Sequence, residues 1–561
     1  DLKFKSTLSY DYVNTKGNDW RDPRTSNGDD INGGMSKKFY EYKKMVWANQ
    51  LSYKMSIAAD HHLDALAGYE IDDQYRDYLS GYATNFATYD KNQISNGMKT
   101  ESVGGSDTRT RMVSYLFRLN YDYKNKYYLG GSFRMDGSSR FLKDNRWGSF
   151  WSISAAWRVI EESFMDSVKD WLTDLKIRAS YGVVGNDRYH PYGNNFMDRF
   201  LYLPNSYFIG GGYQFGTGTS WTPGAYEKSF GNSGLSWEKS AKQNYGIDFS
   251  LFGQKLSGSI DYFYERREDI LAKASTDPII HAMSLPVLNL GIVSNKGVEL
   301  NLKWNHKLEK LRYWANLNVS YAKNKIVYQD EVPSEYEYTL KTGHPVGQPF
   351  GLKVRGFYYE GMENIADHSY VLKEGDVVYE DLNNDGKIDD NDKTALGYPS
   401  YPLLNAGLTL GFEYKGFDFS MLWVGATKTS RVLQETFRRP LGDTNDRSLM
   451  LHQFEDRWTP ETAATAKLPR ATIDGVKNNY RDSELWVKDA SYLRLKNIEI
   501  GYNFRLPFMP KIGMEKMRVF MTGYNLLTFD KLKISDPESM SSGVPQYPVM
   551  RVINFGLNVS F

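Results

Sequence analysis

From Ile553 onward every second residue is apolar: Ile553, Phe555, Leu557, Val559 and Phe561, with Asn554, Gly556, Asn558 and Ser560 between them. A period of two belongs to a strand with one apolar and one polar face. The chain opens the same way. Leu2, Phe4, Leu8, Tyr10 and Tyr12 share one face, and Lys3, Lys5, Thr7, Ser9 and Asp11 take the other. A hairpin repeats the pattern, with Tyr245, Ile247, Phe249 and Leu251 going in, a turn at Gly253, and Leu256, Gly258, Ile260, Tyr262 and Tyr264 coming back. Followed through the chain, the alternation predicts about sixteen strands. The first spans residues 2–13, the second 40–57, the third ends near Ile71 and the fourth covers 111–123. The residues between, including a Gly/Asn/Ser/Thr-rich stretch to Thr108, read as loops. His61-His62 falls in a short turn, where solvated residues are expected ahead of a metal pair. In residues 492–504 the apolar face changes near Asn497, which predicts a bulge.

Strands of roughly 10–16 residues are too long for a soluble sandwich, whose strands average about 5–6. A tilted strand crossing a membrane needs about 9–11. The connections alternate long and short, as in outer-membrane barrels with short periplasmic turns and long outer loops. That rule runs odd strands outward and even strands inward, and sets Phe561 at the periplasmic rim. Tyr123, Tyr127 and Tyr128 flank one short turn and Tyr414 and Phe417 another, as in an interfacial girdle. The fold class read from the pattern is therefore all-β: a transmembrane antiparallel β-barrel over residues 1–561, its apolar face against outer-membrane lipid.

Composition narrows the function. The net charge is +1 over 561 residues, so no basic field exists for nucleic acid. Hydrophobic content is only 41%, yet aromatics reach 15% with 42 Tyr, which suits membrane interfaces. With no cysteine there is no disulfide framework, thiol metal site or Cys nucleophile. No apolar run reaches the ~18 residues of a transmembrane helix. Asp1 leads straight into strand alternation with no signal peptide, so further sequence is expected upstream.

The sharpest motif is DLNNDGKIDDND, Asp381–Asp392, within a long extracellular loop over residues 326–402. Counted as a twelve-residue calcium loop, it offers Asp381, Asn383, Asp385, the Lys387 carbonyl, Asp389 and Asp392. Gly386 stands at the sharp turn and apolar Ile388 at position 8. Asp at position 12, where Glu is usual, reaches less far and weakens the site or changes its denticity. The expected role of Ca²⁺ is structural, stiffening a loop that faces substrate or lid; the bland alternative is an acidic solvated turn. Tyr213, Phe215, Trp221 and Tyr226 lie in a Gly-rich loop, where they either stack on sugar rings as substrate contacts or simply order the loop. No HExxH or GxSxG motif occurs, so nothing points to an enzyme.

Several stretches together resemble the SusC/RagA-type TonB-dependent outer-membrane transporters of the Bacteroidetes. They are Ser180-Tyr181-Gly182 with Gly185-Asn186, LSWEKSAKQNYGIDFSLF at 235–252, NLGIVSNKGVELNL at 289–302, the stretch 375–402 around the calcium-type motif, WVKDASYLRLKNIEIGY at 486–502, GYNLLTF at 523–529 and the terminal strand. The resemblance implies a barrel of about 22 strands around a plug, of which this chain is the C-terminal part. It also implies a SusD-like surface lipoprotein as lid, coupling to the TonB complex through an N-terminal region absent here, and import of an oligosaccharide or peptide. A plug domain and about six N-terminal strands are then missing from the chain. A passive sixteen-stranded porin and a structural subunit of a larger envelope complex are the alternatives.

Overall fold

A computed structural model describes residues 1–25, 31–87, 93–189, 200–203, 207–209, 212–214, 216, 221–222, 224–227, 230–274, 285–441, 449–472, 477–539 and 546–561. Sixteen long strands form one antiparallel sheet in chain order. They are β1 (Leu2–Arg21), β2 (Gly34–Ile57), β3 (His61–Phe86), β4 (Gly97–Tyr123), β5 (Tyr127–Ser138), β6 (Trp147–Arg158), β7 (Leu172–Asn186) and β8 (Glu238–Leu251), then β9 (Leu256–Lys273), β10 (Val287–Leu308), β11 (Leu311–Tyr328), β12 (Leu404–Tyr414), β13 (Phe417–Thr427), β14 (Tyr492–Phe504), β15 (Lys516–Asp530) and β16 (Val552–Ser560). β1 and β16 stand at the two ends of this order. Among the described residues no helix is long and apolar enough to cross a membrane.

The chain divides into two compact units. One comprises Asp1–Ala156, Ser180–Lys242 and Arg267–Gly291; the other comprises Trp157–Ala179, Gln243–Arg266 and Ile292–Phe561. In the first, β2, β3 and β4 run 24, 26 and 27 residues, far beyond the expected bounds. Residues 14–21, 72–86 and 97–110 are strand rather than loop, and the ladder continues to Arg21↔Gly34 and Phe86↔Gly97. Alternation reports which face meets an apolar phase. Where both faces meet water, polar residues occupy both while the backbone ladder continues. Ion pairs replace apolar contacts there: Arg109 and Arg111 reach Asp73 at 2.6 and 3.0 Å, and Lys44 reaches Asp72 at 3.3 Å. A small cluster of Met35, Ala83 and Phe86, with Trp20 and Ile94 packed on it, caps the far end.

His61 and His62 are the first residues of β3, not turn residues. Successive strand side chains point to opposite faces, so the two do not converge on a metal. His61 Nδ1 bonds the Tyr121 hydroxyl at 2.7 Å and His62 Nδ1 the Ser56 hydroxyl at 3.0 Å.

In the second unit the β12–β13 turn is closed by Lys415 and Gly416, both at positive φ (46° and 95°), the left-handed pair a two-residue hairpin needs. The bulge lies at Lys496: Trp423 faces Leu495 and Leu422 faces Asn497, so one residue is left over. β16 pairs β15 from Ser560↔Lys516 to Val552↔Tyr524. Ile553, Phe555, Leu557 and Phe561 are 58%, 81%, 60% and 79% exposed, while Val559 is half-buried. On the other face Phe520 lies over Gly556, where a Cβ would meet the ring at 2.2 Å. This is an aromatic ring covering a strand glycine.

The buried apolar clusters gather in the loops and at strand ends. Mid-strand apolar residues such as Leu51, Phe117, Phe133 and Ile153 stay exposed. A soluble sandwich would bury that face; one meeting lipid leaves it open. Nitroxides at Phe555 and Leu557 should therefore be reached by oxygen and shielded from a water-soluble nickel relaxant. Labels at Asn554 and Asn558 should show the reverse. Equal nickel access on both faces would contradict a lipid-facing β16.

Candidate functional site

The richest polar architecture lies in the second unit, where the β11–β12 loop meets the β13–β14 loop. Three ribbons frame it: Phe350–Leu352 with Lys393–Ala395, Val354–Phe357 with Val377–Tyr379, and Ser430–Val432 with Val487–Asp489. Leu352, Val377, Tyr379 and Ile388 make a buried core between them. Ile388, the apolar residue of the calcium-type motif, thereby anchors that motif to the ribbons.

Asp376 is fully buried. It accepts from Arg470 Nε at 2.6 Å, Asn479 Nδ2 at 2.9 Å and the Lys373 N–H at 2.8 Å. Asn479 Oδ1 accepts from the Val377 N–H, and Asn478 Nδ2 donates to the Val377 carbonyl, both at 2.9 Å. Two segments about a hundred residues apart are thus joined through side chain amides that replace a missing strand partner. Burial pushes the Tyr379 phenol up to about 12, so it remains a donor, and it bonds the Asn478 carbonyl at 2.6 Å.

His368 is buried in the same core. Its Nδ1 bonds the Ala366 carbonyl at 2.8 Å, and its Nε2 accepts the Tyr379 N–H at 3.0 Å. That pairing requires the neutral ring, and burial holds its pKa below the ordinary 6.5. A depressed value means the contribution is intact above 6.5 and is lost as pH falls through the folded value. Hydrogen exchange at Tyr379 should accelerate as pH drops below 6.5, after correction for intrinsic rates. In His368→Gln this acid step should vanish.

The calcium-type loop is tightly wound. Gly386 at φ +84° and Asn384 at φ +59° make the sharp turn. Asp381 accepts the N–H groups of Asp385 (3.3 Å) and Gly386 (2.8 Å), and Asn383 Oδ1 accepts the Asp385 N–H at 3.2 Å. Asp385 accepts the Lys387 N–H at 2.8 Å, and Asp389 the Asn391 N–H at 2.7 Å. Asp392 is fully buried, its oxygens taking the Leu382 and Asp389 N–H groups at 2.8 Å each. The donor types and the turn fit a hard cation, and each carboxylate keeps lone pairs beyond these bonds. Among the described residues, however, no three acidic or histidine side chains converge as a metal cluster.

Beside this loop lies an open cleft of about 970 Å³, lined by His368, Tyr370, Lys373, Ile388, Asp389, Asp390, Arg470, Asn478 and Arg481 among others. The aromatic candidates lie elsewhere in sequence. Tyr213, strongly exposed, pairs Thr222 in a short ribbon in which Trp221 pairs Gln214, and Tyr226 pairs Phe208 in another. The Trp221 and Tyr226 side chains, and Phe215 altogether, lie outside the described residues. Asp376, Arg470, Asn478, Asn479 and Arg481 are not among the site residues expected from the sequence. They follow no spacing rule, because their partners come from a different loop.

Residues 1–526 match the family described as TonB dependent receptor-like, beta-barrel. The chain belongs to that family. It is similar to receptors of the SusC/RagA type. It is 30% identical over 590 residues to TonB-dependent receptor P26 of Formosa agariphila, covering 99% of this chain and 57% of the relative. It is 29% identical over 465 residues to TonB-dependent receptor SusC of Bacteroides thetaiotaomicron, covering 81% and 44%. The RagAB peptide transporter structure superposes with a TM-score of 0.78 at 22% identity, over all of this chain and 60% of that one. This TonB-dependent receptor chain thus spans only about half the length of the relatives it matches. Its strands are those of an outer-membrane β-barrel.

Proposed function

We propose that the protein imports a nutrient, oligosaccharide or peptide, across the bacterial outer membrane. The energy comes from the TonB complex, and a SusD-like lipoprotein covers the outer loops. The observation carrying this reading is the family match over residues 1–526, seated on a sheet whose apolar face is exposed and whose buried cores lie in long loops. The work is binding and translocation, with polar loop and lumen groups holding cargo. Deleting the gene should abolish growth on the cognate polymer or peptide while leaving growth on simple sugars intact. The full-length protein should also co-purify with a surface lipoprotein. Unchanged growth of the deletion strain on every polymer and peptide tested would overturn the reading.

We also propose that Asp381, Asn383, Asp385, the Lys387 carbonyl, Asp389 and Asp392 hold a structural Ca²⁺. The support is the register of hard oxygen donors with Gly386 at the turn. Calcium should raise protection of residues 381–392 in hydrogen exchange, and Asp385→Ala should abolish that gain. No calcium effect at millimolar concentration would remove the ion and leave an acidic turn held by its own N–H groups.

A further inference from the structure

We propose that the cleft beside the calcium-type loop binds an acidic oligosaccharide, one carrying carboxylate or sulfate groups on a hydroxyl-rich chain. This rests on the import reading and names its cargo class. Four cations line the cleft, Lys373, Arg470, Lys477 and Arg481, against Asp389 and Asp390. Asp390 is neutralised by Lys393 at 2.7 Å, and Arg470 by Asp376. Lys373, Lys477 and Arg481 have no ion-pair partner among the described residues. The remaining acids of the neighbouring motif, Asp381, Asp385 and Asp392, bond their own loop's N–H groups and do not line the cleft.

Arg481 is held ready. Both terminal nitrogens donate to the Ile388 carbonyl at 3.2 Å, and its guanidinium lies 5.5 Å from the Tyr379 ring. A guanidinium held this way keeps donors for a planar or tetrahedral oxyanion. Asn478 supplies the second, independent observation. It is 6% exposed, its Nδ2 is spent on Val377, and its Oδ1 is buried with no partner among the described residues although Asn478 lines the cleft. A buried acceptor left unsatisfied carries a cost, which a sugar hydroxyl reaching it would relieve. Among the described residues Ile388 is the one aliphatic side chain in the lining, and it is 4% exposed. The half-buried ring of Tyr370 adds a face for a pyranose to pack on.

Calorimetry on the full-length protein tests this with four probes: tetragalacturonate, a sulfated tetrasaccharide, neutral cellotetraose and tetraglutamate. At least one acidic glycan should bind, and more tightly than cellotetraose and tetraglutamate. Added salt should weaken it. The double variant Lys373→Gln/Lys477→Gln should lose roughly tenfold in affinity, the scale of two partly screened ion pairs, at an unchanged thermal midpoint. Asn478→Asp should weaken acidic glycans more than cellotetraose. Binding of neither acidic glycan, equal or tighter binding of cellotetraose or tetraglutamate, or no effect of the double variant would overturn the inference. Failure of the cleft leaves import standing when a neutral glycan or peptide is still taken up. Loss of all uptake phenotypes instead sinks the import reading.

Discussion

Asp376→Ala is expected to release the ribbon Val354–Phe357 with Val377–Tyr379 from the β13–β14 loop. Asp376 is fully buried against Arg470, whose side chain is 22% exposed. Removing one member of a buried ion pair typically costs ~3–5 kcal/mol, because the other charge is left uncompensated. Asn479 Nδ2 and the Lys373 N–H lose their acceptor in the same step. Hydrogen exchange should show protection at Val377–Tyr379 collapsing while β12 and β13 remain protected. Asp376→Asn keeps the shape and loses the charge, so it should fall between. Wild-type protection in Asp376→Ala would mean that the loop is held by its apolar core alone.

Trp486→Ala carries a comparable expected effect by a different route. Trp486 is 2% exposed and packs with Leu433, Phe437, Tyr480 and Leu532, and its Nε1 donates to the Asn479 carbonyl at 3.1 Å. Truncating a buried Trp costs about 3–5 kcal/mol through lost contacts and the cavity left behind. Limited proteolysis should cut Trp486→Ala quickly in the β13–β14 loop, with Trp486→Phe intermediate. Both sites act through Asn479, Asp376 on its amide nitrogen and Trp486 on its carbonyl. The double variant should therefore destabilise by less than the sum of the two.

The strands in the lipid band were legible because lipid imposes a period of two, and the short turns between Tyr123 and Tyr127, at Gly253, and between Tyr414 and Phe417 fell where expected, whereas His61 and His62 open β3 instead of lying in the turn before it. Asn497 marked a bulge within one residue of its place at Lys496, since an extra residue must flip the apolar face. The extensions of β2–β4 were illegible for the complementary reason. Asp72, Asp73, Arg109 and Arg111 look like loop residues, yet backbone pairing needs no particular side chain. The calcium-type motif stands out in the sequence as local spacing, and its Ile388 is buried. The cleft was not legible. Asn478, Arg481 and Asp376 acquire meaning only when the β11–β12 and β13–β14 loops meet, and no local pattern records that meeting.

Import through this barrel is proposed to be energised passage, not passive diffusion. Its most direct test is uptake of labelled cognate oligosaccharide or peptide by cells carrying the full-length gene, with and without a protonophore. Uptake should be concentrative, stop when the proton-motive force collapses and be absent in a strain lacking TonB. Uptake that continues at the same initial rate in both cases, as through a passive pore, would contradict it.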